Sequence, residues 1–132
     1  MPFGYTGKIL HVDLARRKIE TEEPGDTFYR SYLGGRGIGY YYLLRDLPAH
    51  TDPLAPENIL VLATGVMTGS PIAASCRFAA VGKSPLTGTA GESEAAGLRH
   101  PEECAHFVLR DPSGAARWRR GFPDRRTPAR SR

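Results

Sequence analysis

Residues 77–88 read RFAAVGKSPLTG, and the Gly-Lys-Ser at their centre is how a nucleotide-binding P-loop ends. The fold turns on whether this stretch cradles phosphate. A P-loop needs a glycine five positions before the glycine of GK[ST], then a helix whose first turn faces the phosphates. Arg77 occupies the first of those positions, and Pro85 follows Ser84 directly with Gly88 soon after. Proline and glycine there work against a long helix. The residues before Gly82, CRFAAVGK, have the apolar character of a strand, with no loop to wrap an anion. The P-loop reading fails. What remains is a strand that ends in a rigid turn, KSPLTG, at the edge of a sheet.

Outward from that strand, ILVLATG (59–65) is a short apolar run that suits a buried strand, and TDPLAPEN (51–58) before it is a proline-rich loop. VMTGSPIAAS (66–75) is a second glycine–proline loop, and SPLTGTAGESEAAG (84–97) reads as loop again. Near the start, GKILHVDLARRKIETEE (7–23) reads as a β-hairpin. Leu10, Val12 and Leu14 alternate with His11 and Asp13, which puts His11 on the polar side as a solvated strand histidine.

GDTFYRSYLGGRGIGYYYLLRDLP (25–48) predicts two short helices around a glycine turn. Asp26 or Thr27 is positioned to cap the first, and Gly34-Gly35 to end it through left-handed backbone. In the second, Tyr40, Leu43, Leu44 and Leu47 fall at helical spacing before Pro48 stops it. The cluster Tyr40–Tyr42 reads as core and rim packing. GGRGIG lacks the G-x-G-x-x-G spacing and follows a helix rather than a strand, so it is no dinucleotide fingerprint. The bare backbone around Arg36 still lets that side chain reach an anion. Strands, two short helices and long Gly/Pro loops together predict an α+β fold with a mixed β-sheet.

Composition narrows the classes. The chain has 132 residues, 40% of them hydrophobic and 24% charged, which is ordinary for one globular domain. No run reaches the ~18 apolar residues of a membrane span, and the start lacks the pattern of a signal peptide, so a cytoplasmic chain is expected. Cys76 and Cys104 are too far apart for a metal knuckle and read as small buried hydrophobes. An iron–sulfur cluster takes about four thiolates, more than the two cysteines of this chain.

The net charge of +4 is unevenly spread. Residues 1–98 carry 9 Lys and Arg against 10 Asp and Glu, whereas residues 99–132 carry 9 Arg against 4 acids. The reading is therefore a folded part over 1–98 and an Arg/Pro-rich tail over 99–132, largely without fixed structure. Two accounts of the tail stay open. It is a basic arm for nucleic acid or an acidic partner, with Trp118 able to stack on a base, or it is an out-of-frame extension. Nucleic acid is the less favoured partner. A sheet interrupted at residue 98 is expected to leave open strand edges and poor solubility.

Arg77, at the start of its strand after small residues, has two readings on its own: an ion pair at the surface, or a planar guanidinium for a phosphate or a pair of carbonyls. The wider pattern adds to this. GYTGKILHVDL (4–14), YLGGRGIG (32–39), the run from Asp52 to Gly88 and GESEAAG (91–97) together resemble the N-terminal domain of the aldehyde ferredoxin oxidoreductases. These are tungsten- (sometimes molybdenum-) pterin enzymes that oxidise aldehydes to carboxylic acids and pass electrons to ferredoxin. The resemblance implies an α+β unit that forms a base for two pterins, with the 4Fe-4S cluster and the substrate pocket in later domains. It leaves a homodimer open for the full-length enzyme and implies that this chain alone does not turn over.

By the same resemblance, the arginine that opens the KSPLTG strand contacts the cofactor, which here is Arg77. The family's N-S-G-G segment contributes an asparagine and a backbone glycine. Here it reads Glu94-Ala95-Ala96-Gly97, in which Gly97 matches and Glu94 puts a carboxylate where the family has a neutral amide. Arg77 and Gly97 are the expected cofactor-binding residues, and the resemblance assigns this stretch no catalytic or metal-ligating residue.

Overall fold

The computed structural model describes residues 5–70, 72, 77–96 and 106–110. Six strands form one mixed sheet, covered by helices on one face. Strands β1 (Ile9–Asp13) and β2 (Lys18–Glu22) form the first, antiparallel hairpin. Helices α1 (Asp26–Tyr32) and α2 (Gly35–Asp46) follow, then β3 (Ile59–Thr64), β4 (Arg77–Lys83), β5 (Ala90–Ala96) and β6 (His106–Arg110). The spatial order is β2-β1-β6-β3-β4-β5, with β1 and β6 parallel and every other pair antiparallel.

The face under the helices holds the core. Ile9 on β1, Val61 and Ala63 on β3, Ala79 and Val81 on β4 and Val108 on β6 are all buried. They alternate with half-exposed residues such as Leu60, which is 43% exposed on the opposite face. The hairpin forms as expected, but its faces are exchanged. Ile9 leads the buried side, so His11 two residues on points toward α2 rather than into solvent, and Leu14 ends up half exposed. A one-residue difference in phase moves every side chain of a strand to the other face.

Several helix signals resolve differently from the sequence reading. The N-cap of α1 is Gly25, with no side-chain cap, and Asp26 lies inside the first turn. The left-handed residue that ends α1 is Leu33, with φ 55°, whose N–H donates to the Tyr29 carbonyl at 2.9 Å. The buried side of α2 is Ile38, Gly39, Tyr42 and Leu43, while Leu44 is 77% exposed. The stripe shifts because the glycines let the N-terminal half of α2 sit directly on the sheet, and contact begins before Tyr40. The tyrosines do pack in the core and at its rim: Tyr42 is fully buried and Tyr41 lies 5.0 Å from Phe28, ring centre to ring centre.

Two strands come from stretches read as loop or tail. AGESEAA forms β5, an edge strand paired along its whole length with β4. It carries none of the branched or aromatic residues that mark strands, and it forms because the backbone groups of β4 need partners on that side. Residues 106–110 lie within the stretch read as tail, yet they form β6 in the middle of the sheet, paired with β1 on one side and β3 on the other. Cys76, Gly97, Cys104, Trp118 and the residues beyond Arg110 lie outside the described residues. Among the described residues no helix is long and apolar enough to cross a membrane.

Candidate functional site

Gly-Lys-Ser is the beginning of a hairpin turn. Lys83 closes β4 and its Nζ donates to the Thr51 carbonyl at 2.6 Å. Ser84 Oγ accepts the backbone N–H groups of Leu86 (3.2 Å) and Thr87 (3.4 Å). The Gly88 N–H donates to the Ser84 carbonyl at 2.8 Å, with Gly88 at φ 73°. The groups a P-loop would offer to phosphate are spent on the turn and on holding the 51–58 loop, where Asn58 Nδ2 bridges the Pro53 and Lys83 carbonyls.

The other end of β4 is different. The Arg77 carbonyl accepts Thr68 Oγ1 at 3.0 Å and the Gly65 N–H at 3.4 Å, so its backbone is clamped. Gly65 is also bridged to Gly34. Gly34 has φ 75°, and a Cβ there would lie 2.5 Å from the Thr64 carbonyl oxygen, so only glycine allows this approach. A Cβ at Gly37 would meet the Tyr32 carbonyl oxygen at 2.1 Å. The glycines of GGRGIG thus press the start of α2 against the sheet, and Arg36 is carried in its first turn to the side of β4 and β5.

Arg36, Arg77, Glu92 and Glu94 meet there on the helix-covered face. Glu94 Oε1 accepts Arg36 Nη2 at 3.2 Å, and Glu94 Oε2 accepts Arg77 Nη1 at 3.5 Å. Arg36 Nη1 donates to Glu92 Oε1 at 3.1 Å. Both guanidiniums stay open, with side chains 62% and 68% exposed. Arg77, Glu94, Ala95 and Ala96 line a hollow of about 260 Å3. Small-molecule pockets usually run from ~300 to ~1,000 Å3, so this hollow holds one end of a ligand and not a whole cofactor. The sequence places Arg77 at this site and singles out Arg36 as an anion contact, but it does not show that both reach the same carboxylate.

Elsewhere, polar groups are committed to structure. His11 Nε2 donates to Glu22 at 2.8 Å, and Arg45 stacks over Tyr42, 4.4 Å from its ring centre, while also pairing with Glu22. Burial works to raise Glu22, but hydrogen bonds from His11 and Arg45 outweigh it and hold the carboxyl below its usual range. Burial raises Tyr42 and pushes Tyr29 up to about 12. His106, 1% exposed, accepts the Thr64 N–H on Nδ1 at 3.2 Å, while its Nε2 has no hydrogen-bond partner among the described residues. Burial lowers it to about 4. Among the described residues no group of His, Cys, Asp or Glu side chains is placed to hold a metal ion.

The family pattern described as "Aldehyde ferredoxin oxidoreductase, N-terminal domain" matches residues 9–103. The chain belongs to the aldehyde ferredoxin oxidoreductase family. It is similar to the tungsten-containing aldehyde ferredoxin oxidoreductase of Pyrococcus horikoshii, 44% identical over 86 residues that make up 65% of this chain and 14% of that protein. The tungsten-containing aldehyde ferredoxin oxidoreductase of Pyrococcus furiosus is 38% identical over the same length and the same shares. The aliphatic sulfonate oxidoreductase, WOR-like subunit, of Pyrococcus furiosus is 40% identical over 70 residues, 51% of this chain and 11% of that protein. Among solved structures, "Active site complex BamBC of Benzoyl Coenzyme A reductase in complex with 1,5 Dienoyl-CoA" superposes with a TM-score of 0.76 at 30% identity, covering 83% of this chain and 18% of that one. The part aligned with the Pyrococcus horikoshii aldehyde ferredoxin oxidoreductase is thus about a seventh of that relative's length.

Proposed function

We propose that this aldehyde ferredoxin oxidoreductase domain supplies part of the cradle for a tungsten-bearing pterin, with the Arg77 guanidinium on a phosphate of the cofactor and Gly97 as a second cofactor-binding residue. The observation that carries the reading is the contrast within Arg77: a backbone clamped by Gly65 and Thr68, and a side chain left 68% exposed over a hollow. A planar, permanently charged fork on a fixed stem is suited to bidentate contact with phosphate. The donor set fits one anionic end of such a cofactor once Glu94 turns aside.

When bound, the tungsten–pterin group supplies the two-electron chemistry by which an aldehyde and water become a carboxylic acid, with the electrons passed on to ferredoxin. Iron–sulfur ligands and the aldehyde pocket belong to other parts of the whole protein. The residues here do the binding: Arg77 neutralises charge, and the glycine-rich start of α2, packed close on the sheet, fixes the helix beside it. Molybdenum in place of tungsten would ask the same of them.

The test is titration of the full chain with a fluorescent pterin phosphomonoester at low salt. The expected result is saturable binding that Arg77→Ala weakens about tenfold, close to what one charge-assisted hydrogen bond is worth. Equal binding by Arg77→Ala, or none by the folded chain, overturns the reading.

A further inference from the structure

We propose that Arg36 and Arg77 together form a two-guanidinium site for a phosphate-bearing ligand, and that Glu94 is a tethered carboxylate the phosphate must displace. The inference rests on the reading that places an anion at Arg77, and adds to it a second cation and a competitor.

Three observations carry it. The two oxygens of Glu94 are divided between the two arginines, Oε1 to Arg36 and Oε2 to Arg77, so the guanidiniums already converge on one anionic group of nearly phosphate width. Those arginines come from distant parts of the chain, and each is brought to the spot by a constrained backbone: Arg36 by the close approach at Gly34, Arg77 by the clamp on its carbonyl. Finally, the first turn of α2 carries no acidic residue, so Glu92 and Glu94 across on β5 are what neutralise Arg36. An edge strand can offer those carboxylates without distortion, because Glu92 and Glu94 alternate with Ser93 and share one face.

The consequence is selectivity by charge. A carboxylate-sized monoanion gains little by replacing Glu94, since it offers the arginines the same two oxygens. A phosphate or diphosphate offers more charge and a third oxygen, and can hold both forks while Glu94 moves into solvent. Partly exposed pairs of this kind are individually weak, which is what an exchangeable internal ligand requires.

The experiment uses the full chain and inorganic pyrophosphate as the probe, followed by calorimetry at low salt. Glu94→Gln is expected to bind pyrophosphate about fivefold more tightly than the parent, the upper end of what a partly exposed charge pair contributes. Glu23→Gln, the same charge change on the segment after β2 at the far edge of the sheet, is expected to leave binding unchanged. Adding Arg36→Ala to Glu94→Gln should remove the gain. If Glu94→Gln behaves like Glu23→Gln, or the gain survives loss of Arg36, the inference is wrong. The two readings separate cleanly. A pyrophosphate gain without pterin binding keeps this site and removes the cradle, whereas pterin binding without the gain keeps the cradle and removes Glu94 as competitor.

Discussion

Gly39 sits so close to Val81 that a Cβ at position 39 would lie 2.4 Å from Val81 Cγ2 and 2.9 Å from Val81 Cβ. This contact sets how near α2 lies to the sheet, and therefore where Arg36 arrives. Neither atom is the far end of a flexible side chain, so a larger residue must push the helix away. Gly39→Ala gains about 1 kcal/mol of helix propensity but forces overpacking that costs ~1–3 kcal/mol. The net expectation is destabilisation, read as a lower urea midpoint. In a Val81→Ala background the 2.4 Å contact with Cγ2 is gone and only the 2.9 Å approach to the Cβ remains, so the penalty of Gly39→Ala should shrink. The same penalty in both backgrounds would show that the contact does not limit the packing.

Buried His106 makes stability fall in mild acid. Its unfolded value is near 6.5 and its folded value about 4, so the unfolded chain takes up the proton first. Above pH ~6.5 both states are neutral and stability is full. As pH falls from there toward 4, the unfolded state is favoured by an amount of order 3 kcal/mol. His106→Leu should flatten this dependence, measured as urea midpoints at pH 7 and 5. An unchanged slope would assign the acid sensitivity to the carboxylates instead.

Lys83→Met tests the turn reading of Gly-Lys-Ser. Loss of the Lys83 to Thr51 hydrogen bond should cost about 1–2 kcal/mol and loosen the 51–58 loop, seen as faster amide exchange there. ATP should cause no shift in melting temperature in either the parent or the variant. An ATP-dependent stabilisation that Lys83→Met abolishes would reinstate a nucleotide site.

A chain ended at residue 98 loses β6 from between β1 and β3. Those strands would then face each other across a gap with unpaired backbone on both. The expected result is loss of the cooperative unfolding transition and aggregation through the open edges. A soluble 1–98 chain with a sharp transition would show that β6 is dispensable.

The sequence by itself determined the local elements whose signals are strong and short-ranged. The hairpin over 7–23, the apolar strand at 59–65 and the helical pair before Pro48 are legible because side-chain period and turn residues act within a few positions. It also excluded a P-loop, since Arg77 and Pro85 break the required geometry at once, and it singled out Arg77. Only the tertiary structure decided the rest. Which face of β1 is buried depends on where α2 lies, and that depends on glycines meeting carbonyls and Val81 far along the chain. β5 and β6 carry weak intrinsic signals and exist because neighbouring strands need their hydrogen bonds. The meeting of Arg36, Arg77 and Glu94 depends on side chains up to 58 positions apart, a relationship that strand pairing and helix approach create and that no local pattern contains.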